Sequence, residues 1–412
     1  MQKTLQYETI VKNFSYLSIL QIFNLILPLV TYPYLIRVLG KEFFGLIAFA
    51  QAIIGYLVIF VSFGFNLSAT KEISVRRNEP LKLNEIVSSV YIIKFALFLF
   101  SFIILALLLF LIKRARGYEP LFLLTMWMCL YELILPVWYF QGIESMKYIT
   151  YLTLVSRLIF LILIFIFVHS RNDYLLVPLI YGIGVLPSGW ASYLILKKNK
   201  ISFSWQPIKV LKYYFSDSVV IFVSNLSTTL YLNTSKVILG LFLGMKDVAT
   251  YEIAEKLSQV MKTPVQLIGQ AIFPHIAREK NMAFIRKSFL LTIIGALLIM
   301  VVGLIFGNFI VNLAGGSGMP DSVVIFRILL ITIMPLTFSM FFANLILISW
   351  NLNREFLRLR IYSNIFYAIL IVMVIFIHRI GTFNIAIITL IVESFAAIYS
   401  VMQCTCQRIN FL

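Results

Sequence analysis

Apolar runs long enough to cross a bilayer recur from one end of this chain to the other, separated by short and mostly basic connectors. A transmembrane helix needs about 20 predominantly apolar residues. The segments 95–112, 159–168 with its flanks, 290–310 and 365–377 meet or approach that length. Spans of this kind leave no room in 412 residues for a water-soluble catalytic domain. The pattern is that of an all-α polytopic membrane protein whose solvent is the bilayer.

Composition agrees. Charged residues make up 12% of the chain and hydrophobic residues 61%, against about 25% charged in a soluble domain. A net charge of +17 would suggest a nucleic-acid partner in a soluble protein. Here the basic residues mostly sit between spans, so they report topology, and no nucleic acid is expected. Cys129, Cys404 and Cys406 lie in or at the end of apolar segments, which gives neither a disulfide framework nor a metal-ligand spacing. His169, His275 and His378 are isolated near span ends and read as interfacial. No metal or other cofactor is implied. The first apolar stretch, 13–36, is too long for a signal-peptide core and is followed by Arg37, Val38, Leu39 and Gly40, so it reads as a retained first helix.

Cutting at polar connectors gives about twelve spans, near 14–36, 44–67, 88–112, 120–141, 150–168, 175–196, 214–243, 250–275, 288–311, 322–350, 361–378 and 384–404. A cytoplasmic N-terminus places most basic residues inside, among them Arg76, Arg77, Lys82, Lys147, Arg278, Lys280, Arg354, Arg358 and Arg360. The opposite face receives far fewer, chiefly Arg37, Lys41, Arg171, Lys246 and Arg379. Both termini are therefore expected in the cytoplasm. The cluster Lys113, Arg114 and Arg116 departs from the rule, and is either a local exception or a sign that an early span is misplaced. The most basic connector, 197–212, follows six spans, which suggests lobes 1–196 and 213–412. Lobes of six spans share one orientation, an arrangement in which a transporter site lies between repeats.

The span at 250–275 carries the functional signal. Glu252, Glu255, Lys256 and Lys262 each cost about 2.5–3.5 kcal/mol at a helix centre on insertion scales, so they face protein or water. Glu252, Lys256, Gln259, Lys262 or Thr263, Gln266 and Gln270 recur at spacings of three or four, forming one polar stripe. Glu252 and Lys256 also read as a structural i,i+4 pair. Lys262 has no acidic residue at three or four positions on either side. Asn225, Thr229, Asn233 and Lys236 make a second polar face, and Gln21, Asn24, Pro28 and Thr31 a third. For the uncharged members, interhelical hydrogen bonding competes with ligand contact. Arg157 lies deep in its span and is expected to face a cavity, whereas Lys94 and Arg327 are assigned to span ends where they can snorkel. Glu132 and Glu393 are intramembrane carboxylates that either carry protons or pair with a base. Pro28, Pro33, Pro136, Pro178, Pro187, Pro264, Pro274 and Pro335 interrupt helices at membrane depth, which neighbours or water can satisfy. Gly240 with Gly244, and Gly303 with Gly307, read as close-packing pairs.

Certain motifs carry a resemblance. They are Gln21 to Asn24, Pro28, Pro33 to Gly40 (Pro-Tyr-Leu-Ile-Arg-Val-Leu-Gly), Phe44 with Gly45, Phe49 to Gln51, Phe63 to Phe65 and Ser68 to Lys71. Val248 to Tyr251, Ala254 to Lys256 and Pro274 extend it. Together they make the chain resemble the bacterial O-antigen flippases, in the polysaccharide-transporter branch of the multidrug/oligosaccharidyl-lipid/polysaccharide exporter superfamily. The resemblance implies two six-helix bundles in a V around a central cavity, alternating access, and export of a polyprenyl-pyrophosphate-linked oligosaccharide from the bacterial inner membrane's cytoplasmic leaflet to its periplasmic leaflet. Implied partners are that substrate, membrane lipids and the polysaccharide polymerase machinery. Lys262, Lys236 and Arg157 would supply a cationic path for the head group, with Glu255 and Lys256 in a motif-like context. Two other readings stand beside this one: a repeat-unit polymerase of the same pathway, and a small-drug exporter of the same superfamily.

The orientation is tested by cysteine labelling in a background whose native cysteines are replaced by alanine. Cysteines introduced at Ser204 and Lys280 will resist an impermeant maleimide in intact cells, and one at Ser317 will react. Labelling at Lys280 would invert the topology.

Overall fold

The computed structural model describes residues 2–316 and 319–407, without the side chains of 2–11, 14, 227–232, 274 and 353. Thr229, Pro274 and Ser317 thus fall outside the described residues or side chains. The helices in chain order are α1 Gln2–Ser62, α2 Phe65–Arg76, α3 Pro80–Leu111, α4 Glu119–Thr125, α5 Trp127–Ile134, α6 Val137–Gly142, α7 Met146–Phe167 and α8 Leu176–Lys198. They continue as α9 Ile208–Phe242, α10 Met245–Glu279, α11 Met282–Gly315, α12 Pro320–Ile331, α13 Ile333–Ser339, a π-helical segment Met340–Leu347, α14 Asn353–Phe376 and α15 Thr382–Cys406. No strand occurs among the described residues.

Among those residues, nine segments are long and apolar enough to cross a membrane. The first, Ser15–Arg76, holds two crossings, because Gly40 at φ 78° breaks α1 where only glycine is unstrained. α9 and α10 have 35 residues each, about 52 Å of helix. With them the layout approaches the twelve expected crossings.

α11 shows why these helices suit lipid. Its inner side carries Thr292, Ala296, Gly303 and Gly307, and Leu291, Leu298, Ile305 and Phe309 are exposed. Small residues let helices approach where no hydrophobic force drives them together. A Cβ at Gly303 would lie 2.3 Å from Leu330 Cδ2, so this glycine is the seat of α12, as the spacing suggested. Gly244 instead has room, with Asp247 Oδ2 nearest at 3.8 Å. Lys113, Arg114 and Arg116 sit on and beside a 3-10 turn between α3 and α4, so the cluster lies in a connector between helices as the sequence places it.

The chain divides into two compact units, Met1–Val237 and Ile238–Leu412. The division falls inside α9, beyond the basic connector near which the sequence places it. The reason is aromatic packing. Phe63 stacks on Phe215 at 4.3 Å and on Phe222 at 4.6 Å, Ser218 shares a 2.6 Å hydrogen bond with Ser68, and Tyr214 donates to Glu85 at 3.2 Å. These contacts tie the first turns of α9 to the first unit. Its core gathers Ile73, Trp138, Tyr139 and Phe140. The core of the second unit is built on Phe341, Phe342, Ile346 and Leu347, with Phe289 packed against them.

Helix α8 meets α7 so closely that a Cβ at Gly184 would lie 2.6 Å from the Ser156 carbonyl oxygen, a backbone atom that cannot rotate away. Gly184→Ala will therefore destabilise the protein by about 1–3 kcal/mol, seen as a lower Tm in detergent. Gly295→Ala, where nothing lies within 4 Å, will be neutral or stabilising.

Candidate functional site: intramembrane charges in each unit

Lys94 is the most deeply held charge in the first unit. Helix α3 begins at Pro80, with proline at the first helical position, so Lys94 lies fourteen residues in, about 21 Å along the axis. Its side chain is 0% exposed. Nζ donates to Glu132 Oε1 at 3.0 Å and to the Glu132 carbonyl oxygen at 2.7 Å. That carbonyl is available for a covalent reason. In a continuous helix it would accept from the N–H of residue 136, and Pro136 has none. The chain leaves helix α5 at Leu135 and restarts at Val137. Asn66, in the first turn of α2, donates to the same Glu132 oxygen at 3.2 Å. The expectation that Lys94 snorkels from a span end is thus corrected: it is locked inside the bundle, and Glu132 is its partner. Arg327, the other residue assigned to an end, has its Nε buried, 3.4 Å from where a Cβ at Gly307 would lie.

Arg157 packs over the Tyr181 ring at 5.3 Å, and its charge is also felt at Tyr131. Lys236, on α9, acts on Tyr56 of α1, whose hydroxyl shares a 3.0 Å hydrogen bond with Thr234. The two cations therefore face different neighbours within this unit. Asn233 Nδ2 lies 2.7 Å from where a Cβ at Gly55 would stand, marking close contact of α9 with α1. Gln21 and Asn225 are half-buried and Asn24 is exposed. Thr31 returns its hydroxyl to the Leu27 carbonyl at 3.0 Å, a local bond that satisfies it within its own helix.

The second unit contains α10. Glu252 is buried, Glu255, Lys256 and Lys262 are half-buried and Gln259 is exposed. Thr263 bonds back to the Gln259 carbonyl at 2.8 Å. Lys262 lacks an acid one turn away, yet it is not alone. Glu393 of α15 and Glu255, two turns earlier on α10, both act on its charge. Beside them lies a cavity of about 580 Å³ lined by Gln266, Gln270, Ser339, Asn344, Arg360 and Glu393. Its wall includes the π-helical segment, which a Cβ at Gly269 would foul 2.3 Å from Met340 Sδ. π-Helical turns are rare and concentrate at functional sites. Arg360 donates to Asn344 Oδ1 at 3.4 Å and lies over the Phe356 ring at 5.2 Å. Among the described residues no cluster of three or more His, Cys, Asp or Glu side chains has the form of a metal site.

Residues 10–280 match the family described as polysaccharide biosynthesis protein, about two thirds of the chain. The chain belongs to that family. A protein of Escherichia coli (strain K12) named for O-antigen transport is 28% identical over 372 residues, covering 87% of this chain and 88% of the relative. One from Shigella dysenteriae with the same name is 29% identical over 281 residues, covering 67% and 69%. The lipid II flippase MurJ in an inward closed conformation superposes with a TM-score of 0.70 at 15% identity, covering 94% of this chain and 87% of that one. An inward-facing MATE family transporter of the MOP superfamily gives 0.63 at 15% identity, covering 94% and 100%. The chain is a multi-pass, all-α membrane protein of the polysaccharide biosynthesis protein family, and its fold is the one shared by these MOP superfamily transporters. The polymerase reading is set aside, since the relatives are named as transporters.

The charge networks came from signals the residues held but spacing alone did not expose. Pro80 marks an earlier helix start, and Pro136 is the reason a carbonyl is free. Asn344 and Arg360 carry no sequence signal of a cavity, because a π-helical segment does not follow the 3.6-residue period.

Removing one member of the buried pair leaves the other uncompensated. Lys94→Ala will cost about 3–5 kcal/mol, read as loss of Tm or of folded protein in the membrane. Lys94→Met combined with Glu132→Leu will recover most of that loss.

Proposed function

We propose that this protein is a flippase. It moves a polyprenyl-pyrophosphate-linked O-antigen oligosaccharide repeat unit from the cytoplasmic to the periplasmic leaflet of the bacterial inner membrane by alternating access, with both termini cytoplasmic. The observation that carries the reading is Lys262, a cation deep in α10 whose compensating carboxylates, Glu255 and Glu393, come from separate positions. A buried lysine with no counter-charge would shed its proton. Glu255 and Glu393 compensate this lysine from two helices, and a stronger anion such as a pyrophosphate could take their place against the ammonium. Lys236 and Arg157, bordered by aromatic rings and hydroxyls, are cations of the first unit that an anionic head group would also favour. The relatives named for O-antigen transport, and the lipid II flippase that shares the fold, support a lipid-linked substrate.

One observation favours a drug exporter instead. The MATE transporter also shares the fold, and Glu252, Glu255 and Glu393 are acids of the second unit that a cationic drug would seek. The lipid-linked substrate is preferred because Lys262 sits among those acids, where it would repel such a drug.

Deletion will trap completed lipid-linked units on the cytoplasmic leaflet, measured by leaflet-specific access to the sugars. Single completed units facing the periplasm would point to a polymerisation step. Lys262→Arg will keep partial transport, while Lys262→Ala and Lys262→Glu will abolish surface polysaccharide at normal membrane levels of the protein. Full transport by Lys262→Ala would remove this lysine from the site and leave Lys236 and Arg157.

A further inference from the structure

The cavity beside Lys262 has a chemistry that a pyrophosphate does not need. Gln266 and Gln270 lie four and eight residues beyond Lys262 on α10, about 6 and 12 Å farther along the same helix. Facing them, the π-helical segment contributes Asn344, α14 contributes Arg360 and α15 contributes Glu393. The hydroxyl oxygen of Ser339 is buried at this wall without a hydrogen-bond partner. Each carboxamide offers one acceptor and two donors in fixed geometry, the pattern that matches adjacent hydroxyls, which both donate and accept. A polyprenyl tail would leave these groups unsatisfied, at a cost for every buried polar atom. A bare phosphate would find donors in Arg360 and the carboxamides, but Glu393 in the same lining would repel it and the amide oxygens would go unused, so the mixed set of donors and acceptors suits hydroxyls better than an anion. Phe273 adds an apolar ring to the lining, against which the C–H face of a pyranose can lie. A volume of about 580 Å³ falls in the usual range for small-molecule sites.

From these observations we infer that the cavity is a carbohydrate subsite. It takes the uncharged hexose or N-acetylhexosamine next to the pyrophosphate while the pyrophosphate is held at Lys262. The inference rests on the flippase reading for the lipid carrier, and on the cavity's own lining for the sugar. Glu393 belongs to both places, since it acts on Lys262 and lines the cavity. Filling the subsite therefore brings sugar hydroxyls to the carboxylate that otherwise compensates the lysine. With the N-terminus in the cytoplasm, the last turns of α10, the first turns of α14 and the π-helical segment all lie toward the cytoplasmic end of their crossings. The subsite is then loaded from the side on which the substrate is made.

The test uses full-length protein in lipid nanodiscs and two probes, farnesyl pyrophosphate and farnesyl-pyrophosphate-linked N-acetylglucosamine, with affinities measured by thermophoresis. The wild type will prefer the glycosylated probe by about tenfold, as one or two net hydrogen bonds would give. The double variant Gln266→Leu/Gln270→Leu will lose that preference and keep its affinity for farnesyl pyrophosphate. Asn344→Leu, on a different element, will lose it too, which guards against a folding defect in α10. A wild type without the preference, or variants that retain it at unchanged Tm, would overturn the subsite. Farnesyl pyrophosphate binding indifferent to Lys262→Ala would instead overturn the placement of the pyrophosphate at Lys262, failure of the wild type to bind either probe would overturn the lipid-linked flippase reading, and the sugar-dependent difference decides the subsite.

Discussion

A charge inside hydrocarbon must be answered by the protein, and the first unit is arranged around that demand at Lys94. The ammonium has no exposed surface, and Glu132 answers it with both its carboxylate and its backbone carbonyl. Placing a carboxylate and a free carbonyl from the same residue against one lysine requires a helix that stops at that point. Pro136 does this by lacking an N–H. The α1–α2 break, with Phe63 at φ 46° and Gly64 at φ 80°, sets the start of α2 so that Asn66 reaches the same carboxylate. Phe63 at that break also stacks on α9. The interruption that positions the polar cluster therefore also anchors the first part of α9 to this unit.

Lys262 meets the same demand differently. Its carboxylates come from α10 and α15, and Glu393 borders a cavity. Lys94 is bound by a carboxylate and a backbone carbonyl in a closed pocket, an arrangement that no ligand can replace without leaving buried groups unpaired. Lys262 lies on a helix whose successive turns carry Gln266 and Gln270 into open space. A fixed pair specifies structure, whereas carboxylates on two helices beside a cavity leave a lysine that an anion could reach, which is what the proposed function asks of it.

The architecture was legible because hydrocarbon imposes one period and one length on every span. The expected segments 150–168, 175–196 and 384–404 correspond to α7, α8 and α15 within a few residues. The interruptions were less legible. The span near 120–141 is three short helices and that near 322–350 is two helices and a π-helical segment, because hydropathy counts apolar residues and is blind to where the backbone turns. The site residues divided in the same way. Lys262 stood out by its charge in an apolar context, as did Arg157 and Lys236. Lys94 was misjudged because its helix begins eight residues before its apolar run, which moved it from a supposed end to the interior. Glu393 could not be paired from sequence, since its partner is more than a hundred positions away and joined to it only by packing.

Proline-linked interruption serves both units at different scales. In the first, one missing N–H frees one carbonyl, and a lysine consumes it. In the second, Pro335 lies just ahead of the segment Met340–Leu347, whose wider turns set Asn344 at the cavity wall opposite α10. Met340, the first residue of that segment, stands close against the backbone at Gly269, where there is no room for a Cβ. At that wall Asn344 lies within reach of the Arg360 guanidinium, which donates to its amide oxygen at 3.4 Å. A transporter must hold a hydrophilic head group at membrane depth and then release it. Separated, modest hydrogen bonds meet that need better than one tight pair, because each can be exchanged for water in turn as the site opens.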